Sequence, residues 1–295
     1  MGRRGTLIDH YPLIEARAAA LFGSADTMMA FFLPTLLGVT GAVIGSFAGA
    51  AALRIARGDS VVTGRSRCDS CGRVLGIADL VPMLSFLMLA GRCRTCRAPI
   101  DPLQPLAEVA GATIGIAAWL FMPDPLTAIL AAILGWQLLV LGLSDWCSFH
   151  LPPVGIAILA FSALMIPAVA ALDGQQWLPL LLRQLAGGGL GFVLLAAPAL
   201  LFRAIRGRDG MGSADPPLMG AIGLWAGPLG VCFIVLLAAG LGIAIAAANL
   251  MHGKSSDPGD SAGNESDSGL ALPLGTLLSL ATIAVSFAGF SLLTP

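Results

Sequence analysis

Charge is what this sequence has least of. Only 11% of its 295 residues are Asp, Glu, Lys or Arg, where an ordinary soluble protein carries roughly 25%. That shortfall excludes a soluble globular enzyme, and an apolar share of 57% excludes a disordered, solvated chain. A basic excess is missing too. The formal net charge is −1, so the chain has no field with which to hold nucleic acid. Lysine is nearly absent: of 16 cations, 15 are arginine, and Lys254 is the exception. The N-terminal stretch does not read as a secretory signal. Arg3 and Arg4 stand where an n-region would, but the first apolar run starts near Met28 and is too long for an h-region.

What the chain does have is long apolar runs. A span needs about 20 such residues to cross roughly 30 Å of hydrocarbon. Runs of that kind cover about 29–53, 105–121, 126–143, 151–172, 178–202, 218–250 and 270–293. The 218–250 run is too long for one crossing, and Gly227-Pro228 divides it into a short helix and a full span. The expected fold class is an all-α polytopic membrane protein of about seven to eight transmembrane helices with a cytoplasmic zinc-knuckle loop. Its expected parts are a tail (1–28), a first transmembrane helix (29–53), a cytoplasmic loop (54–103) and a transmembrane core (104–295).

The connections alternate in charge. The segment Arg54–Arg97 holds eight arginines and the segment Arg203–Arg208 holds three. The turns at Pro123-Asp124-Pro125 and at Asp173–Gln176 hold no cation, and Met251–Gly269 sets Lys254 against Asp257, Asp260, Glu265 and Asp267. The positive-inside rule places the arginine-rich connections in the cytoplasm, the N-terminus outside and the C-terminus inside, with Arg3, Arg4 and Arg17 weighing against it. The 251–269 segment, rich in Ser, Gly and Asp, reads as a solvated loop. Met1-Gly2 with Thr6 fits a myristoylation pattern, and Asn264-Glu265-Ser266 fits a glycosylation sequon; both patterns arise often by chance.

Four of the six cysteines form two C-x-x-C pairs, Cys68/Cys71 and Cys93/Cys96, with 21 residues between the pairs. Each pair can close a knuckle on a metal, and four thiolates complete a tetrahedron around zinc. Cytoplasmic placement argues against disulfides. Arg67, Arg73, Arg92, Arg94 and Arg97 stand beside the cysteines, and their charge favours thiolates. With all four positions filled by protein, the expected role is structural. The apolar segment Ala78–Leu87 between the pairs is too short to span; it lies on the membrane surface or packs on the bundle. Cys232 sits in a span as a small apolar residue, and Cys147 follows an aspartate by two positions.

Ionisable residues at spans are costly, so each is a functional candidate. Asp145 ends the third span and Asp215 precedes an apolar helix, both on the expected cytoplasmic side. Each also has a plain reading: Asp145 as a helix-end residue, Asp215 as an N-cap followed by proline. Glu108 begins the second span, where it could pair with a loop arginine. Joined, two aspartates from different helices could share a proton, one serving as acid and the other as base, as in aspartic proteases. Spacing alone leaves two other readings open: a proton- or ion-coupled transporter, and a structural membrane protein whose zinc loop docks partners.

From about residue 41 to 290 the chain resembles the type IV prepilin leader peptidases, whose long form also methylates the new N-terminus. Gly45-Ser46-Phe47 with Arg54 is similar to that family's G-S-F-L-N-x-x-x-x-R-L. Val81-Pro82-Met83-Leu84-Ser85-Phe86 through Gly91-Arg92-Cys93 is similar to I-P-L-L-S-Y…G-R-C, and Pro105-Leu106-Ala107-Glu108 to P-L-V-E. Ser144-Asp145 with Pro152 resembles the first catalytic motif, Gly210-Met211-Gly212-x-x-Asp215 the second, and Leu272-Pro273-Leu274-Gly275 a terminal I-P-F-G. The cysteine pairs mark the long form.

The resemblance implies a bacterial inner-membrane aspartyl protease with Asp145 and Asp215 as the catalytic pair. Gly210, Gly212 and Glu108 become substrate or supporting candidates, with Glu108 also a methyl-transfer candidate. The implied substrates are type IV prepilins or pseudopilins, cut after a glycine on the cytoplasmic side, with S-adenosylmethionine as methyl donor. Four positions depart from the pattern. Ala214 replaces the glycine before the aspartate, Pro217 a lysine, Pro153 an acidic or amide residue, and Gly49 an asparagine.

Overall fold

The computed structural model describes residues 25–61, 65–251 and 273–288. Most of the tail, with Arg3, Arg4 and Arg17, the myristoylation pattern, the sequon and nearly all of the 251–269 loop, lies outside them. The described chain is helical: α1 (Ala25–Ala56), α2 (Leu84–Met88), α3 (Leu103–Phe121), α4 (Pro125–Ser148), α5 (Pro153–Ser162), α6 (Met165–Leu172), α7 (Trp177–Arg206), α8 (Asp215–Met251) and α9 (Leu274–Phe287). Six segments are long and apolar enough to cross a membrane: Phe31–Ala56 of α1, α3, α4, the α5–α6 pair, α7, and Asp215–Asn249 of α8. The apolar helix α9 adds a shorter one of 14 residues. The described residues separate into two compact units, divided within α4 after Val140 and again at Phe287.

In the first unit, α1 and α3 cross with their backbones touching. A Cβ at Gly41 would lie 2.1 Å from the Gly111 carbonyl oxygen, and one at Gly45 would lie 2.1 Å from that of Ala107. Lipid gives helices no hydrophobic reason to associate, so close packing over small residues holds such a crossing. Trp136 donates from Nε1 to the Gly111 oxygen at 3.0 Å from the other side.

In the second unit, α7 and α8 cross the same way at Gly187 and Gly223, where an added Cβ on either would come within 2.3 Å of the other's carbonyl oxygen. The expected division at Gly227-Pro228 is a kink within α8. Gly227 has φ 67° and ψ 177°, open to glycine and closed to most side chains. The expected span over 151–172 is present and is made of two helices, broken between Ser162 and Met165. Pro167 accounts for this, because it has no N–H to give the Ala163 carbonyl and its ring crowds that oxygen. The freed carbonyls find donors on neighbouring helices, as backbone in lipid must. Gln184 Nε2 donates to the Ala163 oxygen at 3.0 Å, and Trp225 Nε1 donates to the Leu159 oxygen at 2.9 Å.

The segment between the cysteine pairs forms a short 3-10 turn (Ile77–Asp79) and α2. Its apolar side chains are mostly outward-facing; Ile77, Leu87 and Met88 are 88%, 71% and 77% exposed.

Candidate active site and metal centre

The two cysteine pairs sit in matching backbone loops. The Cys68 N–H donates to the Arg73 oxygen at 2.9 Å, and the Gly72 N–H returns to the Cys68 oxygen at 2.9 Å. In the second loop, the Cys93 N–H donates to the Ala98 oxygen at 2.8 Å, and the Arg97 N–H returns to the Cys93 oxygen at 3.0 Å. A β-bridge closes each loop, Arg67–Val74 in one and Arg92–Pro99 in the other. The fifth residue of each loop has positive φ, Gly72 at 69° and Arg97 at 60°. The four Sγ atoms lie within 4.8 Å of one another, and Cys68 and Cys96 are 3.7 Å apart. Four sulfurs placed about 2.3 Å from a tetrahedral zinc would be about 3.8 Å apart, so the set could hold a metal ion of that size.

At Cys93 the thiolate is favoured by the backbone and not by the arginines, whereas at Cys96 the Ala98 N–H is outweighed by burial and the neighbouring thiols, which push it up to about 11. The N–H groups of Cys96 and Thr95 bring the Cys93 thiol down to about 6. Arg73 and Arg94 turn instead to Asp79, Arg73 in a close ion pair and Arg94 with Nε 3.1 Å from Oδ1, off the hydrogen-bond direction. Asp79 thus ties one cysteine loop to the other.

Asp145 and Asp215 are 5% and 6% exposed. Asp145 lies in the last turn of α4. Its Oδ2 accepts the Thr276 N–H at 2.8 Å and lies 3.2 Å from Thr276 Oγ1, whose single proton is shared with the Gly142 oxygen at 2.9 Å. Asp145 therefore receives an otherwise unbonded N–H at the start of α9. Asp215 is the first residue of α8. It is not the cap, because the Ala214 oxygen already accepts the Leu218 N–H at 3.0 Å. Pro216 and Pro217 follow in the first turn, and Pro153 opens α5; prolines lose nothing there, since those N–H groups have no partner within the helix. Ala214 does not adopt positive φ, so its methyl group brings no backbone strain.

The two aspartates come together: the charge of Asp145 is felt at Asp215, whose carboxylate also accepts the Gly212 N–H. A glycine is pressed against each. A Cβ at Gly212 would lie 2.9 Å from Asp215 Oδ2, and one at Gly275 would lie 3.0 Å from Asp145 Oδ2. Gly210 packs on the Phe202 ring. Thr276 escapes sequence reasoning, since nothing in the preceding Pro273-Leu274-Gly275 marks it as a partner of Asp145.

Glu108, on α3, is 6% exposed. Its Oε2 accepts the Met83 N–H at 2.6 Å, which fixes Met83 at φ 59°. The anticipated arginine partner is not there: among the described residues, no cation forms an ion pair with Glu108. Gly49 packs beside Gln104, whose Nε2 donates to the Ser46 oxygen at 2.8 Å.

The family model for the bacterial peptidase A24 N-terminal domain matches residues 39–122, and the model for the type IV leader peptidase family matches residues 131–247. The prepilin leader peptidase/N-methyltransferase of Burkholderia pseudomallei (strain 1026b) is 34% identical over 61% of this chain and 57% of its own length. The type 4 prepilin-like proteins leader peptide-processing enzyme of Escherichia coli O78:H11 is 31% identical over 62% of this chain and 66% of its own. The Pseudomonas aeruginosa prepilin leader peptidase/N-methyltransferase is 31% identical over 62% and 63%. The matched region is therefore under two thirds of the length of these relatives. No solved structure matches the chain. The two family models between them take in the cysteine loops, Glu108 and both aspartates, and this multi-pass membrane chain belongs to the type IV leader peptidase family.

Proposed function

We propose that the chain cleaves the basic leader from type IV prepilins or pseudopilins by an aspartate dyad and then methylates the new N-terminus. The observation that carries this is the meeting of Asp145 and Asp215, brought from different helices into a nearly buried pair. Close carboxylates share one proton, so one acts as base while the other acts as acid. The base takes a proton from a water held between them, and the water attacks the scissile carbonyl. The acid then protonates the departing amine. Thr276 and Gly212 aim the carboxylates through the hydrogen bonds they give. Substrate enters sideways as a helix, its basic leader at the cytoplasmic face and its apolar part in lipid. The transporter reading gains nothing from these residues, and the matched families are peptidases.

Cys68, Cys71, Cys93 and Cys96 hold a structural zinc; their number, spacing and distances support it. S-adenosylmethionine, when bound, supplies the methyl group. The arginine-rich loop is cytoplasmic and the N-terminus external.

Coexpression with a prepilin tests the dyad. Asp145→Asn and Asp215→Asn should each slow leader removal by about 10²–10⁴-fold, the range for loss of a general acid or base, with melting temperature retained. If both variants process the leader at the wild-type rate, the dyad has no catalytic role.

A further inference from the structure

The first unit contains a cavity of about 380 Å³, within the roughly 300–1,000 Å³ that small ligands occupy. It lies between the C-terminal end of α1, the start of α3 and the cysteine loops. Four acids line it. Asp69 is paired with Arg57, and Asp79 with Arg73 and Arg94, while Asp101 accepts the Leu103 N–H at 2.9 Å. Glu108 differs in burial: Asp101, also without an ion pair, is exposed, whereas Glu108 is 6% exposed, accepts the Met83 N–H, and has no cation paired with it among the described residues. A carboxylate has room for about four hydrogen bonds, and burying its charge unpaired is costly. Glu108 is therefore a buried carboxylate with no ion-paired cation among the described residues, although Arg54, Arg57, Arg67, Arg73 and Arg94 also line the cavity. The cavity also presents the guanidinium of Arg54, whose Nη1 lies a long 3.4 Å from the Val61 oxygen, and two aromatic rings, Phe47 and Phe86.

We propose that this cavity binds the methyl donor and that Glu108 recognises its sulfonium centre. The proposal rests on the methyl-transfer reading above. S-adenosylmethionine carries a cation for Glu108, a carboxylate for Arg54 and a flat base for the rings. In the transfer the methyl–sulfur bond breaks, a methyl–nitrogen bond forms, and the amine proton passes to water. The product is a neutral thioether, so Glu108 prefers donor to product.

Binding to the full-length protein in detergent tests this. Three probes are titrated: S-adenosylmethionine, sinefungin (whose amine keeps the cation) and neutral S-adenosylhomocysteine. The wild type should favour the two cationic ligands by about tenfold, the effect of one charged hydrogen bond. Glu108→Gln keeps an acceptor for the Met83 N–H and should erase the preference while leaving thioether affinity within about twofold. Ala50→Phe, which fills the cavity from α1, should abolish binding of all three, with a retained melt as the folding check. Equal weakening of all three in Glu108→Gln overturns the proposal, because Glu108 is then only an anchor. Wild-type binding in Ala50→Phe overturns it also. A wild type that binds all three alike removes this proposal alone; one that binds none removes the methyl-transfer reading with it. A Glu108→Gln variant that loses affinity only for an N-terminal pilin peptide assigns Glu108 to the acceptor amine and overturns it too.

Discussion

Gly212 and Gly275 leave the aspartate carboxylates no room for a methyl group beside them. At Gly212 the intruding Cβ would stand 2.9 Å from Asp215 Oδ2, so Gly212→Ala must push that carboxylate aside. Misplacing a catalytic group by about 1 Å can cost 10²-fold. We expect Gly212→Ala to lower kcat for leader cleavage by up to that factor with KM little changed, because the basic leader does not depend on Asp215 for binding. Initial rates on a purified prepilin decide it, and a fall confined to KM would contradict it. Both aspartates and Gly212 were legible in the sequence, because each belongs to a short local pattern. Thr276 was not, because it meets Asp145 across 131 positions of chain and no local pattern encodes that pairing.

Among the elements, the paired cysteine loops were readable from spacing, but what joins them was not. Asp79 reads as one acid in an apolar stretch, and only the folded chain brings Arg73 from one loop and Arg94 from the other onto its carboxylate. The Gly76 N–H, 3.1 Å from Oδ2, and these two cations hold Asp79 below the usual carboxylate range. Asp79→Asn should speed loss of zinc to excess chelator by roughly fivefold, the scale of a partly exposed ion pair. The pH dependence follows from the sign. A carboxylate depressed in the folded state stabilises it fully above its unfolded pKa of about 3.9 and loses that contribution as pH falls through the folded value. The gap between variant and wild type should therefore stay constant from about pH 8 to pH 5. Chelator-exchange rates across that range check it, and a gap that closes by pH 6 would assign the effect to another group.

At the scale of the molecule, apolar runs gave the spans because lipid demands unbroken backbone bonding. The break near Ala163 was missed because its cause, Pro167, lies four residues further on, and its remedy is on other helices, in Gln184 and Trp225. The same folded view separates two chemistries. The cysteines, Glu108 and the cavity belong to the first unit. Asp145, Asp215 and the residues found against their carboxylates, Gly212, Gly275 and Thr276, belong to the second. A zinc held by four cysteines would shape the loops around the cavity of the first unit. Cys68→Ser with Cys96→Ser should therefore remove the metal, counted at about one per chain in the wild type. It should also suppress N-methylation by at least about tenfold, as loss of a metal-organised site does. Leader cleavage should persist within about threefold, because general acid–base catalysis needs only the dyad and its donors. Mass spectrometry of a pilin processed by the double variant separates the outcomes. Cleaved but unmethylated product is expected, whereas uncleaved precursor would mean that the dyad depends on the metal-bound loops.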